Sequence, residues 1–292
     1  MRLSGLHVLL TYQCTFECEH CFVWGGPQQS GTLRLAEIRE MLRQAEELNT
    51  VESICFEGGE PFLYYPILLS GVEEAVARGF RVGIVTNAYW ATEVEDAVTW
   101  LRPFQGLIQD LSVSSDLYHA DEELSHWARN ASVAAEQLGI PVGTISVAQP
   151  HEEDVSLASL MFRGRAAEKL APRVPHHPWH IFTACPYENL REPSRVHLDP
   201  LGHVHLCQGI SLGNVFRTPL ADLVASYDAD AHPIIGPLLQ GGPADLVRRY
   251  DVPHDEAYAD ACHLCYEARL ALRQRFPGVL TPDQMYGVFE GR

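Results

Sequence analysis

The chain has 292 residues, with 21 Lys and Arg against 38 Asp and Glu, a formal net charge of −17 at pH 7. Its composition, 46% hydrophobic and 20% charged, is that of an ordinary globular protein long enough to bury about 75% of its unfolded surface without disulfides. The acidic balance argues against a DNA or RNA partner, because phosphate contacts need Lys and Arg, and no apolar run reaches the ~18 residues of a membrane helix.

The opening residues Met1-Arg2-Leu3-Ser4 carry no signal-peptide core, so the expected location is cytoplasmic. A reducing compartment keeps thiols free. Eight cysteines beside 14 histidines then point to metal binding or catalysis rather than to disulfides.

The first half alternates strands and helices. Leu6 to Tyr12 reads as a buried strand. Residues 32–48 carry a helical stripe at Leu35, Ile38, Met41, Leu42, Ala45 and Leu48, one face of a 3.6-residue repeat. Ser53 to Phe56 is a strand, and Ile67 to Arg78 a helix stopped by Gly79. Arg81 to Val85, Leu107 to Val113 and Val142 to Val147 are further strands. Between them lie helices over Thr92 to Leu101 and Glu122 to Leu138. This βαβα order predicts a parallel sheet, open or barrel-like. Val155 to Phe162 is a possible sixth strand. A parallel crossover usually takes a dozen or more residues, and here the connection is short, so the segment is joined differently or is not a strand. From about Pro172 onward Pro, His and Cys become dense and periodicity is poor. A loop-rich region organised by a metal reads this way.

Directly after the first strand comes Cys14-Thr-Phe-Glu-Cys18-Glu-His-Cys21. Closely spaced thiolates suit iron–sulfur clusters or zinc. Three local ligands leave one iron of a [4Fe–4S] cube open to a chelating substrate, whereas a zinc loop would borrow a fourth ligand such as His20. After the second strand the chain reads Glu57-Gly58-Gly59-Glu60-Pro61. Glycines at the carboxyl end of a parallel strand let backbone approach a ligand closely, and such strand ends carry the sites of barrel and open-sheet enzymes.

The three-cysteine loop and the Gly-Gly-Glu motif, in this order after consecutive strands, resemble the radical S-adenosylmethionine (radical SAM) superfamily. The resemblance covers about residues 3 to 170. It implies an α/β fold, a partial (β/α)6 TIM-type barrel, with a [4Fe–4S] cluster on Cys14, Cys18 and Cys21. It implies further that S-adenosylmethionine chelates the open iron and is cleaved to a 5′-deoxyadenosyl radical that abstracts a hydrogen atom. By similarity, Gly58, Gly59 and Glu60 line the methionine amino group, and Thr86 and Asn87 lie near the ribose or methionine. Ser115 and Asp116 meet the nucleoside, and Arg165 of Gly164-Arg165-Ala166 meets the methionine carboxylate. A one-electron donor such as a flavodoxin or ferredoxin is implied as partner.

Four more cysteines lie in the C-terminal part: Cys185, Cys207, Cys262 and Cys265. Cys207 ends Gly202-His-Val-His-Leu-Cys207 inside an expected hairpin, with strands at Arg195 to Leu198 and His203 to Leu206. Cys262-His-Leu-Cys265 opens a helix running to about Arg275. Four cysteines close one metal site. The layout, with Gly213-Asn214 after the second cysteine, is similar to the SPASM and Twitch extensions of radical SAM enzymes. The expected organisation is therefore residues 1–170 as the radical SAM barrel and 171–292 as a small loop-rich iron–sulfur region with one auxiliary [4Fe–4S] cluster. A structural zinc on the same four thiolates is the competing reading, and a non-catalytic redox relay is the competing function.

Cys55 is left over inside the second strand, a small core residue or a hydrogen-atom donor. His176, His177, Trp179 and His180 read as a linker, with substrate binding as the alternative, and His119, Tyr89 and Trp90 fall on the loop side of the sheet. The substrate is a peptide or a small molecule. The early position of Cys14 leaves no preceding peptide-recognition domain in this chain, which leans away from a self-sufficient peptide modifier.

Overall fold

The structure, a computed structural model, describes residues 1–115, 125–147 and 160–289. Its first half runs β1 (Gly5–Leu9), α1 (Leu35–Leu48), β2 (Ser53–Glu57), α2 (Tyr65–Ala77), β3 (Arg81–Thr86), α3 (Val94–Leu101), β4 (Asp110–Ser114), α4 (Ser125–Gln137) and β5 (Val142–Ile145). The five strands pair in parallel in chain order, as the alternation predicts. Helix α1 buries Ile38, Met41, Leu42 and Ala45, the stripe read from the sequence. Its carboxylates stay outside: Glu40 and Glu47 pair with Arg43, and Glu46 pairs with Arg78.

The second half is more regular than its composition suggests. It contains α5 (Arg165–Lys169), β6 (His177–Pro178), β7 (Arg195–Leu198), β8 (His203–Cys207), β9 (Ile210–Asn214), α6 (Leu220–Ser226), α7 (Ile235–Tyr250), β10 (Ala257–Tyr258) and α8 (Ala261–Leu272). Helix α7 escapes pattern reading because Gly241 and Gly242 break its dihedrals ahead of Pro243. The hairpin forms as expected and gains a third strand, β9.

These strands do not build a separate layer. The sheet order is β5-β4-β3-β2-β1-β7-β8-β9, with β7 parallel to β1 on its free side. A single apolar cluster joins Leu6, Val8 and Ile84 to Val196, Leu198, Val204 and Tyr286. Residues 1–170 and 171–292 thus share one sheet and one core. The segment expected as a sixth strand lies largely outside the described residues; its described end, Leu160 to Phe162, has no strand pairing. No helix among the described residues is long and apolar enough to cross a membrane.

A buried polar triad pins β1 to the hairpin. Tyr12 donates its hydroxyl hydrogen to Asp199 Oδ2 at 2.8 Å, and His205 Nε2 lies 2.9 Å from the same oxygen. Asp199 Oδ1 accepts from the Leu201 and His203 amides. Burial raises the Asp199 carboxyl, but the partners around it, His205 above all, outweigh burial and hold it below its ordinary value. Removing the carboxylate strands several buried polar groups at once. Asp199→Ala is therefore expected to lower unfolding free energy by about 3–5 kcal/mol, read as a shift of the urea or thermal midpoint.

Candidate active site

Strand alternation sends every second side chain to the inner face of the curved sheet. A cavity of about 450 Å³ opens there. It is lined by Cys14, Cys18 and Cys21 at the strands' carboxyl ends, with Gly58, Gly59, Thr86, Asn87 and Ser114, and deeper by His7, Cys55, Glu57, Asp110 and Ser112. The three cysteines predicted to act together are together, facing this space.

The loop that carries them is braced from two sides. Gly59 and Glu60 donate their amides to the Thr11 and Gln13 carbonyls at 2.7 and 2.8 Å. A side chain at Gly59 would meet Gln13 O at 2.1 Å, and Gly58 sits at φ +147° against Thr11 O. Only glycine permits this approach. From the other side, Arg165 donates from Nη1 to Cys18 O at 2.8 Å and from Nη2 to Gly25 O at 2.7 Å. The Gly164 backbone, at φ +61°, packs on Phe22. Arg165, expected at a methionine carboxylate, thus points its guanidinium at the cysteine loop.

Glu60 and Asn87 tie the ends of β2 and β3 to the same loop. The Glu60 carboxylate is fully buried. It accepts from the Phe62 amide, the Thr86 hydroxyl and the Asn87 amide at 3.0, 2.9 and 2.8 Å. Burial nonetheless pushes its carboxyl up to about 7. Asn87 Nδ2 donates to Thr15 Oγ1 at 3.0 Å and reaches Cys14 Sγ at 3.5 Å. The Gly25 amide reaches Cys21 Sγ at 3.2 Å and the Phe16 amide reaches Cys14 Sγ at 3.5 Å. Donors aimed at sulfur favour thiolates, the form that binds metal. Burial pushes the Cys14 thiol up to about 12, so without a cation it stays protonated.

Cys185, Cys207 and the Cys262–Cys265 pair, far apart in sequence, surround one pocket with Arg163 and Arg269. Gly242 seats the chain here: a side chain on it would meet Ala184 N at 2.3 Å, one residue before Cys185. Arg163 Nη1 lies 3.1 Å from Cys207 Sγ. Arg163 borders both this pocket and the active cavity. Both guanidinium groups are buried. Glu188, 3.6 Å from Arg163, is the carboxylate ion-paired to them among the described residues, and Asp260, its carboxyl raised by burial, lies close enough for Arg163 to oppose that rise. Burial pushes the Cys265 thiol up to about 11 and raises Cys185 and Cys262. Neutral thiols would leave buried cations poorly compensated, at a cost of several kcal/mol. Thiolates at these four cysteines would supply the missing negative charge.

The radical SAM superfamily profile matches residues 8–154, just over half of the chain and all of the cysteine loop. The chain belongs to the radical SAM superfamily. Membership makes it an enzyme and implies a [4Fe–4S] cluster and S-adenosylmethionine, which the cysteine loop and cavity fit. Among curated relatives, the Bacillus subtilis protein YydG, provisionally named for peptide biosynthesis, is 26% identical over 38% of this chain and 35% of its own. A Pyrococcus furiosus protein named as the cofactor-modifying protein of tungsten-containing aldehyde ferredoxin oxidoreductase is 32% identical over 31% of this chain and 26% of its own. The matches span about a third of these relatives or less. Among solved structures, BtrN in complex with S-adenosylmethionine and 2-DOIA is similar at a TM-score of 0.49 and 17% identity, over 76% of this chain and 82% of that one. SuiB of Streptococcus suis bound to S-adenosylmethionine is similar at 0.46 and 13%, over 85% and 74%.

Several predicted residues of this radical SAM enzyme lie away from the cavity. The Ser115 amide pairs with Ile145 O, and Ser112 and Ser114 are the serines that line the space. Asp116 and His119 fall outside the described residues. Trp90 is buried on Phe62, with Nε1 donating to Thr86 Oγ1, so it supports the site from behind. His177 pairs with Tyr258 in a short ribbon and Trp179 packs on Arg248 and His254; none of the four linker residues lines the cavity. Sequence reading missed His7, Glu57 and Arg163 as lining residues. Polar residues inside the apolar runs of β1 and β2 were the available signal.

The raised Glu60 carboxyl has a measurable sign. Its folded value, about 7, exceeds the ordinary 4.5, so the stability it confers is fully present below about 4.5 and is lost as pH rises through about 7. Thermal midpoints of wild type should fall across that window, and Glu60→Gln should flatten that part of the slope.

Proposed function

We propose that this radical SAM enzyme is a partial (β/α)6 barrel with a SPASM/Twitch-like C-terminal region, that it cleaves S-adenosylmethionine reductively at Cys14, Cys18 and Cys21, and that it carries one auxiliary [4Fe–4S] cluster on Cys185, Cys207, Cys262 and Cys265. The observation that carries the reading is the convergence of the three-cysteine loop and the Gly58-Gly59 backbone on one cavity. When bound, the cluster and S-adenosylmethionine supply one-electron cleavage of a carbon–sulfur bond and a radical able to take hydrogen from an unactivated carbon.

The chain's own residues do the rest. Arg165 and the Gly59–Glu60 backbone fix the cysteine loop, so three thiolates face one side. Gly58 and Gly59 keep that side open for the methionine moiety, while Thr86 and Asn87 lie near the ribose or the methionine. Glu60 acts as a positioning residue behind them. The walls from Cys55 to Ser114 exclude water and hold a substrate carbon near the reacting position. The substrate is a peptide or small molecule, in line with the peptide-biosynthesis and cofactor-modifying names of the curated relatives. A flavodoxin or ferredoxin serves as electron donor, in the cytoplasm.

The resemblance to SPASM and Twitch extensions favours an iron–sulfur cluster over zinc here, while the two buried guanidinium groups call for thiolate charge with either metal group. Anaerobically reconstituted protein should hold about eight irons per chain, two cubes of four; about four irons with one zinc would overturn the auxiliary cluster. Dithionite-reduced protein with S-adenosylmethionine should release 5′-deoxyadenosine, and Cys18→Ala should abolish that release while keeping the C-terminal iron. Arg269→Met should selectively lower iron at the second site, read as loss of about half of the total.

A further inference from the structure

Below the cysteine loop, on the inner face of the sheet, two histidines and a glutamate converge. The β1–β7 register sets His7 opposite His197, and the β1–β2 register sets Cys55 beside His7 and Glu57 one pleat higher. His7 Nδ1 lies 3.3 Å from Glu57 Oε2, and His197 Nε2 lies 3.1 Å from Glu57 Oε1. The three ligand atoms all fall within 4.8 Å of one another, and no other group of three among the described His, Cys, Asp and Glu residues meets that spacing. The two rings stand 5.1 Å apart at 58°, so neither stacks on the other.

Hydrogen bonding leaves this cluster incomplete. His7 Nδ1 is within hydrogen-bond reach of Glu57 Oε2, whereas Glu57 Oε1, 3.1 Å from His197 Nε2, is buried without a well-formed hydrogen bond. A buried carboxylate oxygen left so costs free energy. A cation between the three side chains removes that cost. Imidazole and carboxylate ligands bind divalent transition metals at ~2.0–2.2 Å, which at right angles separates ligand atoms by about 3.0 Å. The two observed separations, one to each carboxylate oxygen of Glu57, are of this size.

We propose that His7, Glu57 and His197 form a divalent-cation site of the two-histidine, one-carboxylate kind on the floor of the cavity. This ligand set takes Mn²⁺, Fe²⁺ or Zn²⁺ and leaves coordination positions open. His7 and Glu57 line the same cavity as Cys14, Cys18 and Cys21, so the open positions face the substrate space. A bound ion would hold an oxygen or nitrogen donor of the substrate beneath the cysteine loop.

The test is Mn²⁺ binding to iron-loaded full-length protein, followed by the electron paramagnetic resonance signal of the free ion. Manganese is chosen because a hard ion avoids thiolates. It needs neither S-adenosylmethionine nor activity, so its outcome is separate from that of the radical reading. Wild type should remove one equivalent of Mn²⁺ from the free signal. His197→Gln and Glu57→Gln should each weaken binding by at least about tenfold, with iron content and thermal midpoint retained. Cys185→Ser should bind Mn²⁺ as wild type does. A free signal that rises in proportion from the first addition to wild type overturns the site. So does unchanged binding in His197→Gln, the variant that stays informative if Glu57→Gln fails to fold.

Discussion

The parallel pairing of β1 with β7 is the contact on which the site depends. It joins residues about 190 positions apart, Gly5 to Arg195 through Val8 to Leu198. Closing so long a loop carries an entropic cost, and buried contacts must offset it. The apolar cluster shared by Leu6, Val8, Val196 and Leu198 does so, with the Tyr12–Asp199–His205 triad fixing direction and register. Without this pairing, His197 would not meet His7, and the C-terminal cysteines would have no fixed place beside the cavity.

Around that pairing, buried charge is the recurring device. Glu60 is held by three donors and ties two strand ends together. Arg165 is spent on the carbonyls of the cysteine loop. Arg163 stands between the two cysteine sites, 5.4 Å above the Phe22 ring. Each is costly to bury and sits against a cysteine set. The seven cysteines of the two sets and these three side chains therefore form one construction rather than two sites placed side by side.

Legibility in the sequence followed the range of the interactions. The βα alternation, the α1 stripe and the hairpin at Asp199 to Gly202 are local patterns, and each appears where periodicity and turn residues put it. Helix α7 was hidden because its period is broken at Gly241 and Gly242. The glycines of the Gly-Gly-Glu motif declared a close approach, and that approach is to the Thr11–Gln13 backbone. The role of Arg165 was not legible, because nothing in Gly-Arg-Ala says which carbonyls come within reach.

The sequence alone determined the ligand types and their local spacing: three cysteines on one loop after the first strand, and four more in the irregular half. It determined the parallel sheet, because strand and helix periods are written in consecutive residues. Only the tertiary structure decided that both halves share one sheet, that four distant cysteines face two buried arginines, and that His7, Glu57 and His197 meet. Those facts depend on which strand takes the open edge of β1, a choice made by long-range packing and buried hydrogen bonds that no local pattern encodes.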